Sequence, residues 1–146
     1  MNYLLDTCVI SDFFKKEAAT ITRFQSVSPK QLHVSAITVM EIEYGLKLNP
    51  EREKKIRPIW ESLTDIIQII LFSTHCAQQA ALLRANLKNS CQPIGPYDIL
   101  IAGTALANDM TVITSNMKEF IRMPEIKVEN LRGSLLPSEN RPYSLS

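Results

Sequence analysis

The chain has 146 residues, 45% hydrophobic and 21% charged, with 16 basic and 15 acidic side chains and a formal charge of +1. That length suits one domain able to bury roughly 70% of its unfolded surface, and the balanced charge excludes a protein that holds nucleic acid by bulk basicity. Cys8, Cys76 and Cys91 make no C-x-x-C pair, which implies reduced thiols in a cytoplasm; nothing at the start reads as a signal peptide, and no apolar run approaches a membrane span.

In chain order, Tyr3-Leu4-Leu5 is a short apolar run that stops at a carboxylate, Asp6. A fully buried parallel strand reads this way, without alternation, so this is the first, central strand with Asp6 at its carboxyl end. A helical pattern follows over residues 8–16, then a short helix over 17–27 with Ile21, Phe24 and Val27 at three-residue spacing and Arg23 outside. Ser28-Pro29-Lys30 turns the chain into a second strand, 31–35. Ser35 or Thr38 caps a helix over 38–48. Residues 51–63 form another helix, which Pro58 is expected to kink or split because proline removes one bond of the ladder. Residues 66–72, rich in β-branched side chains, are a third strand. Ser73 or Thr74 caps a helix to about residue 89, and 90–96 is a hinge-like link. Pro96 suits the first turn of a helix over 97–108. A fourth strand (110–114), a short helix (117–122) and an edge strand (126–129) complete the pattern. Strands alternating with helices over long crossovers give an α/β domain, residues 1–132, on a mainly parallel sheet of four to five strands. Residues 133–146 read as a C-terminal tail.

Several acids stand out by position. Asp6 lies at the sheet edge where open α/β folds bind ligands, although a helix N-cap explains such an acid equally well. Glu41 falls among Ile37, Met40, Tyr44, Gly45 and Leu48 on one helix face, and a carboxylate buried there needs a partner or a metal. Glu43, one turn before Lys47 on the polar side, reads as a surface ion pair. Asp98 suits the positive end of its helix, yet it shares a face with Ile101, Ala102 and Ala105, so it points inward. Gly103 and the alanines of that helix let it pack close to the sheet. Asn116 and Glu119 match a capping box just after the fourth strand, the expected neighbour of the first.

Other chemistries fit badly. The four glycines, Gly45, Gly95, Gly103 and Gly133, build no Walker loop and no dinucleotide fingerprint. No zinc spacing of Cys and His is present. His33 and His75 are isolated, and His33 reads as a core histidine. Cys8, at a helix start, reads as a small buried apolar residue rather than a reactive thiolate.

The stretches Leu5-Asp6-Thr7 with Val9-Ile10-Ser11, Ser35 to Glu41 with Tyr44-Gly45, Pro93 to Asp98 with Ile101-Ala102, Val112 to Phe120, and Val128-Glu129-Asn130 resemble, in order, the PIN-domain family. Within it they resemble the VapC-type toxins of prokaryotic toxin–antitoxin pairs. The resemblance covers residues 2 to about 131. It implies a three-layer α/β/α PIN-like fold and an endoribonuclease dependent on Mg2+ or Mn2+, ions that prefer oxygen ligands. Asp6, Glu41 and Asp98 take the places of the family's core acids, with the fourth place on Asn116 or Glu119. On this reading Asp6 and Asp98 contact metal, while Glu41 binds metal, holds a second ion or acts as a base. Thr7 and Ser115 orient the acids, and Lys15, Lys16, Arg23, Arg84 and Lys88 are candidate RNA contacts. The implied partners are RNA, a second copy of the chain and a VapB-like antitoxin lying in a groove lined by Phe13, Phe14 and Trp60. The sequence departs from the family at Cys8, where an asparagine is usual. A catalytically impaired binding module and a PIN nuclease acting on DNA therefore stay open as alternatives. Crowded acids repel one another, so Asp6→Asn and Asp98→Asn are expected to leave the metal-free protein as stable or slightly more stable.

Overall fold

The computed structural model describes residues 1–89 and 93–131. Its strands are β1 (Tyr3–Leu5), β2 (Leu32–Ser35), β3 (Gln68–Ile70), β4 (Thr111–Thr114) and β5 (Lys127–Asn130). Its helices are α1 (Thr7–Phe14), α2 (Ala18–Gln25), α3 (Ala36–Lys47), α4 (Pro50–Ile66), α5 (Thr74–Asn86), α6 (Pro96–Ala107) and α7 (Met117–Phe120). The sheet order is β3-β2-β1-β4-β5 and every pairing is parallel. The strand that opens the chain is thus the central one, as its unbroken apolar run predicts.

Burial on both faces explains that run. Successive side chains of a strand point to opposite faces, so Leu5 joins Val9, Ile10, Phe14, Ile42, Leu46 and Trp60, while Leu4 joins Leu83, Ile101, Ala105 and Phe120 on the other side. Each such side chain contributes about 1.5–3 kcal/mol by leaving water, and two cores make three layers. Phe14 and Trp60 meet edge to face with ring centroids 6.0 Å apart. His33 is buried, and its Nδ1 lies 3.2 Å from the carbonyl oxygens of Tyr3 and Gln31; it is a core histidine.

Three local expectations are corrected. Pro58 does not split its helix, since α4 runs unbroken through it. The carbonyl it leaves without a donor is that of Lys54, one turn back, and both residues are exposed, so water can serve it. The third strand is shorter than its apolar run: Ile66 ends α4 and Leu71 lies past β3, with 59% and 75% of their surfaces exposed at the sheet edge. Gly103 brings α6 close to α5, not to the sheet: a Cβ there would lie 2.8 Å from the Cβ of Ala80. Residues 90–92, within the expected hinge and including Cys91, lie outside the described residues, as do Arg132 and the expected tail, residues 133–146. Among the described residues no helix is long and apolar enough to cross a membrane.

Candidate active site

Parallel strands put all their carboxyl ends at one edge of the sheet. There the backbone N–H of Asp6 makes its last ladder bond to the Ile113 carbonyl (3.0 Å), and its own carbonyl begins α1 by accepting from Val9 (3.0 Å). The Asp6 side chain is only 3% exposed. Its Oδ1 accepts from the Thr7 N–H at 2.8 Å, and its Oδ2 accepts from the Thr114 hydroxyl at 2.7 Å and the Cys8 thiol at 3.3 Å. Asp6 therefore caps α1 and also fills a position at the binding edge; neither role displaces the other.

Glu41 reaches the same edge from α3. Its Oε1 accepts from the Thr7 hydroxyl at 2.6 Å. A hydroxyl has one proton, so Thr38, 3.0 Å from Thr7, donates to it, and Ser35 donates to Thr38 at 3.4 Å. A row of hydroxyls thus orients Glu41.

Asp98 stands half-buried in the first turn of α6. Burial pushes its carboxyl up to about 6, and the charges of Asp6, Glu119 and Glu41 push in the same direction. Asp6 after β1, Glu41 on α3 and Glu119 on α7 thus act on Asp98 through space, and no basic group contributes to the shift there. Among the described residues, no three Asp, Glu, His or Cys side chains stand close enough, as placed, to ligate one ion.

Cys8 packs against the core, as expected, and also joins this cluster. It is half-buried, and Ser115 donates to its sulfur at 3.1 Å. Burial, and then the Asp6 charge, raise its pKa above the ordinary thiol value, so it stays a protonated donor.

Residues 3–126 match the PIN domain family. The chain belongs to that family. It is 28% identical over 130 residues to the tRNA(fMet)-specific endonuclease VapC of Salmonella typhimurium, covering 89% of this chain and 98% of that protein. It is 31% identical over 136 residues to Ribonuclease VapC2 of Rickettsia felis, with the same coverage of each chain. Among solved structures, VapBC2 from Rickettsia felis bound to a promoter DNA fragment superposes with a TM-score of 0.82 at 28% identity, covering 89% of this chain and 98% of that one. DNA-bound VapBC from Salmonella typhimurium gives 0.80 at 30% identity, covering 90% and 98%.

In this PIN domain the charges of Asp6, Glu119 and Glu41 all reach the Asp98 carboxyl. Thr7 orients Glu41, and Ser115 reaches Asp6 only through Cys8. The capping box does not form: the Asn116 side chain makes no cap bond, and its backbone N–H donates to Thr114 Oγ1 at 2.8 Å. The apolar stripe assigned to Glu41 is not a buried face. Met40, Tyr44 and Leu48 are 41%, 62% and 67% exposed, and α3 buries Thr38, Ile42 and Leu46 instead. Glu43 pairs not with Lys47 but with Arg57 on α4, at 2.6 and 2.8 Å.

The cations divide. Arg23 is not outside: it pairs with Glu129 and lies over the Tyr3 ring, 5.1 Å from its centroid. Lys15 and Lys16 are exposed at the end of α1, about 12 Å of helix from Asp6. Arg84 and Lys88 are exposed near the end of α5. With Gly103 against Ala80, α5 packs closely on α6. There Arg84 and Lys88 line a cavity of about 960 Å³ with Ile94, Pro96 and Ile99. The supporting hydroxyls of Ser35, Thr38 and Thr114 were missed from sequence; the available signal was that β2 and β4 each end in a hydroxyl residue.

Proposed function

We propose that this PIN domain is a metal-dependent endoribonuclease, hydrolysing phosphodiester bonds of RNA, and a toxin neutralised by a cognate VapB-like antitoxin in the cytoplasm. The observation that carries the reading is the convergence of Asp6, Glu41, Asp98 and Glu119 at one sheet edge, with an Asp98 carboxyl raised to about 6 chiefly by burial and then by the other three. Relatives named as VapC ribonucleases and structural neighbours that are VapBC complexes support it.

The donor set fits Mg2+ or Mn2+ in its chemistry: hard carboxylate oxygens, mutually repelling, with no thiolate among them. No three stand at ligating distance as placed, which suits an ion that keeps several of its waters and takes only one or two carboxylates directly. Asp6 and Asp98 would hold it, with Glu41 and either Glu119 or Asn116 completing the set. When bound, such an ion lowers the pKa of a water molecule and screens charge that develops on the phosphate.

The chain's own residues do the rest. Thr7, Thr114 and Cys8 fix the Asp6 carboxylate, so it needs no reorientation during the reaction. Glu41, steadied through Oε1 by Thr7, takes the proton of the attacking water. Arg84 and Lys88, lining the cavity between α5 and α6, and Lys15 and Lys16 position RNA through its phosphates.

For the antitoxin, Phe14 and Trp60 are core residues, 7% and 3% exposed. Phe13 instead joins Pro58, Ile59, Ser62, Leu63 and Ile66 around a cleft of about 370 Å³ between α1 and α4, and an apolar antitoxin segment fits there. A second copy of the chain covers the exposed Met40, Tyr44 and Leu48.

Purified protein treated with EDTA is expected to leave RNA intact in a single-turnover assay, and added Mg2+ or Mn2+ to restore cleavage, with single-stranded DNA untouched. Cleavage that proceeds unchanged in EDTA would overturn the metal assignment; cleavage of DNA but not RNA would overturn the substrate.

A further inference from the structure

We propose that Cys8 is a positioning residue whose thiol passes a hydrogen bond from Ser115 to Asp6, locking the first acid of the site to the segment that leads into α7. Proton counting sets the direction. An ionised Asp6 only accepts, so the thiol proton points at Oδ2, 3.3 Å away. The sulfur is left as an acceptor, and the Ser115 hydroxyl fills that role at 3.1 Å. Thr114 spends its proton on the same Oδ2 at 2.7 Å and accepts from the Asn116 N–H at 2.8 Å. Two short relays therefore run from residues 115 and 116 to one carboxylate oxygen, and one of them passes through sulfur.

The position of Cys8 suits the task. It is the second residue of α1, and helical side chains lean toward the N-terminus, which returns the thiol to the Asp6 that caps the helix. A thiol also offers the minimum the relay needs, one donor and one acceptor. Ser115 precedes α7, whose first turn carries Glu119, so the relay ties the rotamer of Asp6 to the placement of a second acid. Without it, Asp6 keeps its bonds from Thr7 and Thr114, enough to cap α1 and hold the fold. What is lost is the fixed relation between the two sides of the site.

The kinetic arm of the test rests on the ribonuclease reading; a spectroscopic arm does not. Cys8→Ala and Cys8→Val are expected to lower kcat for RNA cleavage about tenfold, the size of one hydrogen bond to a charged group. KM and the unfolding temperature should stay near those of the parent. Cys8→Ser and Cys8→Asn, which keep a donor and an acceptor, should stay within about threefold of the parent in kcat. In the metal-free protein, the infrared difference between parent and Cys8→Ala isolates the Cys8 S–H stretching band. Asp6→Asn, by weakening its acceptor, should move that band to higher frequency, and Ser115→Ala should move it as well. A Cys8→Ala protein with parental kcat, a Cys8→Asn protein as slow as Cys8→Ala, or an S–H band unmoved by Asp6→Asn would each overturn the proposal. If the parent cleaves no RNA, the ribonuclease reading falls and the S–H band alone decides.

Discussion

Replacing Asp98 by asparagine is expected to abolish RNA cleavage and, in the metal-free protein, to raise stability at neutral pH. The Asp98 carboxyl is pushed from its ordinary 3.8 up to about 6 by burial and by Asp6, Glu119 and Glu41. The folded state therefore binds this proton more tightly than the unfolded chain. Its contribution favours folding most below pH 4, declines as pH rises to about 6, and is level above that. The undiscounted shift corresponds to roughly 3 kcal/mol; for a half-exposed group screened by water, about 1–2 kcal/mol is the expected size. Asp98→Asn escapes this decline, so urea unfolding in EDTA should show it ahead of the parent at pH 7 and level with it at pH 4. Cleavage with Mg2+ should fall by on the order of 10³-fold. A variant less stable than the parent at both pH values would instead make Asp98 a structural acid. Asp6→Asn is a different case. Asp6 accepts three hydrogen bonds, and an amide would turn one acceptor into a donor facing donors, at a cost of about 1–3 kcal/mol. Crowding among acids treats the two alike; their hydrogen bonds separate them.

Gly103→Ala is expected to be the most damaging single methyl group in the molecule. Its Cβ would lie 2.8 Å from both the Cβ and the backbone N of Ala80, and 2.9 Å from its Cα. Backbone atoms of a neighbouring helix cannot rotate aside, so α5 and α6 must separate, which costs about 2–3 kcal/mol. Because α6 carries Asp98 in its first turn, the separation also moves an acid, and cleavage should fall together with the unfolding temperature. Ala80→Gly in the same chain removes one of the clashing atoms and should recover part of the stability. A Gly103→Ala protein that melts with the parent would show that α5 and α6 are not held at this distance.

The central place of the first strand, with the fourth beside it, was legible because burial on both faces leaves a plain mark: Tyr3-Leu4-Leu5 and Thr111-Val112-Ile113-Thr114 lack alternation. Asp6 stood out because it follows a strand end, and Asp98 because it opens a helix. What failed was the reading of faces and partners. Glu41 was assigned to a buried stripe, but its helix buries Thr38, whose hydroxyl is wanted by Thr7 across the sheet edge. No periodicity can report a polar side chain buried for its hydrogen bond. Glu43 was paired within its own helix, whereas the better partner, Arg57, comes from α4 with two bonds. Arg23 was placed outside because it is charged, but Tyr3 and Glu129 hold it at the side of the sheet. Pro58 leaves its helix unsplit because an exposed helix face has water to offer the freed carbonyl.

The bond between Thr114 and Asp6 spans 108 residues of sequence. Contacts of such separation form late, since the loop between them must close first. During synthesis, a ribosome at roughly 5–20 residues per second needs about 5–20 s between making residue 6 and residue 114. Throughout that interval β1 has no β4 beside it, and Asp6 lacks the hydroxyl that fixes it. On the ribonuclease reading, a nascent chain therefore lacks the completed site until the last third of the domain has been made. For the ribonuclease proposed above, assembling the site from opposite ends of the chain works as a delay.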